Sequence, residues 1–307
     1  MKALILGAGE TGRRLAGRLL DSGEDVILAS RSGTEVPGAR AVALDAADAT
    51  AVGKAAKDVD TVFLVTNPPQ YHRWAELWPP VVDAVVTASR GKDLVVMSNL
   101  YVYGRARMPM TEHSPLQPAE SKGAVRLELW RRVLAAHDRG DLRAVEVRAS
   151  DYFGPGAGAT AMLGGRFFDP LLAGRTARVI GDPEAPHSWT YLDDTAATLL
   201  AAASYRGDWG RAWHVPCSEA RSCRAIARDL SESYGVTAKV AAWAPSTLRL
   251  LAAFSPMLRA VRESSYMFES PFVIDATETE RELGVSATPW NQALAATVEG
   301  YRSPSGR

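Results

Sequence analysis

The stretch Ala3-Leu4-Ile5-Leu6-Gly7-Ala8-Gly9-Glu10-Thr11-Gly12 decides the fold. Four consecutive apolar residues read as a strand buried on both faces, as strands of a parallel sheet are. The glycines after them have the spacing GxGxxG. Gly7 permits a tight turn, Gly9 lets the backbone approach a pyrophosphate, and Gly12 lets the next helix pack closely on the strand. Glu10 and Thr11 open that helix, whose unpaired N–H groups would face the phosphates. Strand, glycine turn and helix in this order predict a dinucleotide site.

Outward from this turn, apolar residues at helical spacing run from Gly12 to Leu20 and stop at Asp21-Ser22-Gly23. Further strands are predicted at 26–29, 42–44, 61–65, 94–97 and 142–147, and helices at 49–56, 74–89, 127–137 and 192–203. The alternation predicts a Rossmann-type α/β fold: a parallel sheet with helices on both faces, followed by a smaller C-terminal substrate lobe. The character changes at the glycine-rich segment 150–160. Residues 1–150 are therefore expected to form the NAD(P)-binding domain, with part of 190–215 packing back on it. Residues 151–307 are expected to form mainly the substrate lobe. Apolar positions from Leu248 to Leu258 suggest a hydrophobic wall there, and the SPSGR tail reads as disordered.

The 307 residues carry 35 Lys plus Arg against 35 Asp plus Glu, so the net charge is zero. That balance gives no support to a nucleic-acid partner. Two cysteines, Cys217 and Cys223, are too few for a disulfide framework or a four-ligand zinc site, and no metal site is expected. No apolar run reaches the roughly 18 residues of a membrane span, and the first strand does not read as a signal peptide. A cytoplasmic protein with a small-molecule substrate is expected, and a homodimer is compatible with this reading.

The end of the second strand refines the cofactor reading. Ala29-Ser30-Arg31-Ser32 offers an arginine where an NAD site usually offers a carboxylate, so Ser30 and Arg31 argue for NADP, with NAD as the alternative. Asp45 is a candidate acceptor on the adenine side, and Asp48 reads as a helix cap.

Several segments resemble the extended or atypical branch of the short-chain dehydrogenase/reductase superfamily, the group of NAD-dependent epimerases and dehydratases. They are the glycine turn, Leu44 to Asp48, Val96-Met97-Ser98-Asn99 followed by Tyr101-Val102-Tyr103-Gly104, Arg148 to Pro155, and Trp189 to Asp194. The resemblance implies cofactor contacts from Ala46, Thr66, Asn67, Ser98 and Phe153. It places Asn99 where the family has a catalytic Ser or Thr.

It also implies a Tyr-x-x-x-Lys pair on the next helix, and Pro118 to Arg126 contains no tyrosine. Counting back from Glu128 puts Glu120 in the tyrosine's place and Ala124 in the lysine's, while a shifted alignment brings Lys122 toward the ribose. Tyr101, just past the fifth strand, and Glu120 are the candidate replacements for the missing acid/base, with His113 behind them. The expected activity is that of an NADP-dependent oxidoreductase or epimerase-like enzyme acting on a small hydroxy or carbonyl metabolite. The alternatives are a non-redox cyclase or dehydratase on the same fold and an NADP-binding sensor.

Overall fold

The computed structural model describes residues 1–158 and 161–303; the end of the SPSGR tail and part of the glycine-rich segment lie outside the described residues. The first half runs β1 (Lys2–Leu6), α1 (Glu10–Asp21), β2 (Asp25–Ser30), β3 (Arg40–Ala43), α2 (Ala49–Ala56), β4 (Thr61–Leu64), α3 (Trp74–Ala88), β5 (Asp93–Asn99), α4 (Ser121–Asp138) and β6 (Arg143–Ala149). There follow β7 (Asp151–Phe153), α5 (Gly165–Leu172), β8 (Thr176–Val179), β9 (Trp189–Tyr191), α6 (Leu192–Ser204) and β10 (Arg211–His214). The chain ends with α7 (Cys223–Tyr234), β11 (Lys239–Ala242), α8 (Pro245–Phe254), α9 (Pro256–Glu263), α10 (Thr277–Leu283) and α11 (Trp290–Arg302).

Seven strands form one sheet in the order β10-β6-β5-β4-β1-β2-β3. Every pairing in it is parallel. Apolar residues fill both faces, as the unbroken hydrophobic runs require. On one face Leu4, Leu6, Val62 and Val96 pack with Trp78 and Val82 of α3 and Trp130 and Val133 of α4. On the other, Ile5, Phe63, Val95 and Val147 pack with Leu15 and Leu19 of α1 and Leu199 of α6. Helices therefore cover both faces, and α6 and β10 join the sheet domain although they follow the change in character at residue 150. A smaller lobe has its own core, in which Phe167, Phe168, Leu171, Val179, Ile226 and Leu294 meet.

Two elements depart from the sequence expectation. Helix α4 starts at Ser121, six residues before the expected start at Leu127. Its first turn lacks an apolar stripe and is held by a cap: the Glu120 carboxylate accepts from the Lys122 and Gly123 N–H groups at 3.0 and 2.9 Å. The expected hydrophobic wall from Leu248 to Leu258 is two helices that turn the small residues Ala252 and Ala260 inward. Leu250 and Phe254 face solvent, 63% and 82% exposed.

Among the described residues, no helix is long and apolar enough to cross a membrane. Cys217 and Cys223 are free thiols that burial pushes up to about 12, which keeps them protonated.

Two predictions concern this frame. The Cβ of an alanine at Gly123 would press on the Tyr101 carbonyl oxygen. Gly123→Ala should therefore cost about 1–3 kcal/mol by overpacking, read as a lower urea midpoint at an unchanged slope. The second concerns His214, whose Nε2 lies 2.7 Å from the Tyr103 hydroxyl, which itself accepts from Arg148 at 2.7 Å. Burial, aided by the Arg148 charge, pushes His214 down to about 3. The unfolded chain binds this proton below about pH 6.5 and the folded chain does not, so stability is lost as pH falls from 6.5 toward 3. His214→Gln should remove about 1.4 kcal/mol per pH unit from that acid slope, measured by urea titrations at pH 7, 6, 5 and 4.

Candidate active site

The glycine turn is built as its spacing predicts. Gly7 has φ +125°, and a Cβ there would lie 2.7 Å from the Thr66 backbone nitrogen. A Cβ at Gly12 would collide with the Gly7 carbonyl oxygen, while Gly9 has open space in front of it. Gly9 caps α1 without a side-chain hydrogen bond, which leaves the helix N–H groups for a ligand. Glu10 would place an unwanted negative charge here, but its carboxylate is paired with both Arg13 and Arg14. Arg14 also donates to the Pro155 carbonyl at 2.6 Å, tying the turn to the loop after β7.

A groove of about 810 Å³ leads away from this turn along the carboxyl edge of the sheet. Gly7, Gly9, Ser30, Arg31, Asp45, Ala46, Thr66 and Asn67 line it. These residues and the uncapped helix fit a dinucleotide. The Ser30 hydroxyl is engaged with the Thr34 amide at 3.0 Å, and Asp45 accepts from the Ala47 N–H at 3.0 Å, so both also shape their own turns.

The groove opens into a second cavity of about 340 Å³, with Gly9, Val65, Thr66 and Asn67 common to both. Glu10, Thr11, Ser98, Asn99, Tyr101, Arg126 and Asp151 line the second cavity. Asn99 holds the 3₁₀ turn after β5 by accepting from the Tyr101 N–H at 3.2 Å. Burial drives the Tyr101 phenol well above its usual range, so it resists ionising.

Glu120 and Lys122 sit in the first turn of α4, outside the lining of this cavity. The Lys122 ammonium is buried, donates to the Ala260 carbonyl at 2.6 Å and pairs with Glu120 at 2.9 Å. Phe153 is also outside it, packed on Tyr191 and Trp290. His113 is at the surface, paired with Glu278 at 2.7 Å.

The residue that α4 does present to the cavity is Arg126, one turn after Lys122. Its guanidinium is buried between Trp74 and Trp78, 4.9 and 4.3 Å from their rings. It donates to Asn67 Oδ1 at 3.0 Å and to the Met97 carbonyl at 3.4 Å, and its Nε has no partner. Among the described residues no carboxylate lies in ion-pair range, and burial lowers its pKa. A buried charge held this way is costly unless a ligand satisfies it.

Sequence reasoning missed two further groups. Asp151 lines the cavity, and the buried His187 lies behind it with Nε2 2.9 Å from Asp151 Oδ2. The pair is separated by 36 positions, and no local spacing signals it.

The fold and this edge-of-sheet site define a dinucleotide-dependent enzyme of the short-chain dehydrogenase/reductase type. The model of the NAD dependent epimerase/dehydratase family matches residues 3–215, and the chain belongs to that family. A dTDP-6-deoxy-L-talose 4-dehydrogenase (NAD(P)(+)) from Kitasatospora kifunensis is 25% identical over 256 residues, covering 78% of this chain and 80% of that protein. Among solved structures, MoeE5 in complex with UDP-glucuronic acid and NAD has a TM-score of 0.79 at 22% identity, covering 98% of this chain and 99% of that one. UDP-glucuronic acid 4-epimerase from Bacillus cereus in complex with NAD has a TM-score of 0.78 at 17% identity, over 100% and 99%.

These comparisons correct the NADP preference read from Ser30 and Arg31. The similar structures described with a dinucleotide hold NAD. A guanidinium can stack on an aromatic face as well as pair with a phosphate, so one arginine after β2 does not select the 2′-phosphate.

Removing the Arg126 charge should separate stability from binding. Arg126→Met is expected to leave the urea midpoint unchanged or raised, because an apolar side chain replaces an unpaired buried charge. It should weaken binding in the second cavity about tenfold or more, the loss of one charged hydrogen bond, read by calorimetry with UDP-glucuronic acid on the NAD-loaded protein. NAD affinity should stay within about threefold, because Arg126 does not line the groove.

Proposed function

We propose that this enzyme binds NAD along the groove and oxidises a carbinol carbon of a nucleoside-diphosphate sugar held in the second cavity, returning the hydride in an epimerisation or releasing a keto sugar. The observation that carries this reading is the continuity of the two cavities across Gly9, Val65, Thr66 and Asn67. A ligand in the second cavity would lie against the end of a dinucleotide in the first. The relatives that act on or hold dTDP- and UDP-linked sugars support this substrate class over a generic carbonyl metabolite.

NAD, when bound, supplies the hydride acceptor. The protein's task is to position the sugar, polarise its oxygen and handle one proton. Asn99 and Arg126 offer hydrogen-bond donors to the cavity, and Asp151 offers it a carboxylate. The phenol of Tyr101 donates a hydrogen bond in its neutral form and holds the sugar oxygen in place.

Incubation with NAD and a panel of UDP- and dTDP-sugars, including UDP-glucose and UDP-glucuronic acid, tests the reading. Proton NMR of the sugar ring reports inversion, and absorbance at 340 nm reports net oxidation. Conversion of at least one member is expected. Tight NAD binding with no change in any sugar overturns the proposed substrate class.

A further inference from the structure

We propose that Asp151 and His187 form the proton-transfer pair of this enzyme, in place of the tyrosine that α4 lacks; the inference rests on the reading of the second cavity as the sugar site. His187 is 2% exposed and fixed by aromatic rings, with Trp189, Phe268 and Phe272 centred 4.3, 5.0 and 5.2 Å away. Its Nδ1 faces the Met267 carbonyl at 3.3 Å. Its Nε2 faces Asp151 Oδ2 at 2.9 Å, with the Ser150 hydroxyl at 3.4 Å.

A proton count follows from these contacts. Two acceptors, the Met267 carbonyl and the Asp151 carboxylate, thus face the two ring nitrogens. A neutral imidazole carries one hydrogen and satisfies one of them, whereas an imidazolium carries two and satisfies both. The ring is therefore placed to hold a second proton, the one it would share with Asp151. Asp151 extends this proton to the cavity: its side chain is 21% exposed and lines the same space as Asn99, Tyr101 and Arg126.

The rival proton carriers are less suited. The phenols of Tyr101 and Tyr152 are both driven far above neutrality by burial. Lys122 and Glu120 are occupied with each other at the start of α4. The charged and titratable groups that line the cavity with Asp151 are Glu10, Tyr101, Arg126 and Tyr152, and the Asp151 charge also acts on the buried Tyr266 and Cys223.

Before oxidation the pair would release that proton to solvent through Asp151, whose side chain is 21% exposed. The substrate O–H proton would then pass to the Asp151 carboxylate as the C–H bond gives its hydride to NAD and the C=O double bond forms. The proton comes to rest between Asp151 Oδ2 and His187 Nε2, the arrangement the contacts describe. Reduction of the ketone reverses each transfer, with the pair as the acid.

Nitrogen-15 NMR of histidine-labelled protein reads the proton directly and needs no turnover. Expected at pH 7 are two protonated or proton-sharing ring nitrogens for His187. In the isosteric Asp151→Asn variant, whose amide donates to Nε2, that nitrogen should shift to the unprotonated range. Identical unprotonated Nε2 signals in both proteins overturn the proposal.

With an active sugar in hand, Asp151→Asn and His187→Gln should each lower kcat about 10²-fold or more. KM and NAD affinity should stay within about threefold. A rise in KM with kcat intact also overturns it, because the pair then only binds. The Asp151→Asn variant preserves shape, so a melting curve matching the parent separates lost chemistry from lost folding. Absence of turnover by the parent with the expected histidine signals would strike the substrate reading and leave the proton count standing.

Discussion

The contact on which the rest of the molecule depends is the backbone of Gly7 against the backbone of Thr66. Nothing larger than hydrogen fits between them, because a Cβ at Gly7 would stand 2.7 Å from the Thr66 nitrogen. This closeness brings the ends of β1 and β4 together, and the N-terminus of α1 opens over the gap. Its uncapped N–H groups then face the groove where a pyrophosphate would lie. Thr66 and Asn67 border both cavities because they leave β4 at this point. One steric constraint thus sets the cofactor groove and its junction with the substrate space.

The other end of the site carries a different tension. Arg126 is a cation placed among indole rings with one donor unmatched, an arrangement that folding alone would not favour. Asp151 and His187 stand beside it as a second polar feature, 2.9 Å apart and joined across two segments of the chain. Arg126 and Asp151 line one cavity, so both come within reach of a ligand held there. A charge held beside a cavity at a cost to folding is the usual mark of a site whose chemistry takes precedence over stability.

Much of the fold was legible along the chain. The strands from Ala3 to Val147 and the helices between them follow from apolar runs and helical spacing, and the structure finds them within a few residues. The start of α4 was hidden, since its first turn is held by the Glu120 cap and has no apolar stripe to announce it. The segment Leu248 to Leu258 misled for the opposite reason: its composition is apolar, but the residues turned inward are the alanines. Arg31 lines the groove beyond β2, but its identity does not by itself select a dinucleotide, because a guanidinium serves either.

By itself the sequence determined the glycine turn, the alternating α/β order and the lack of a tyrosine on α4. These are local matters: conformational freedom at one residue, hydrophobic period over a dozen, and residue identity. Only the tertiary structure decided that Arg126 meets Asn67 across 59 positions and that His187 meets Asp151 across 36. Proton sharing and burial of charge depend on distances of about 3 Å and on exclusion of water. Those conditions exist only once the sheet, α4 and the smaller lobe have closed around the same space.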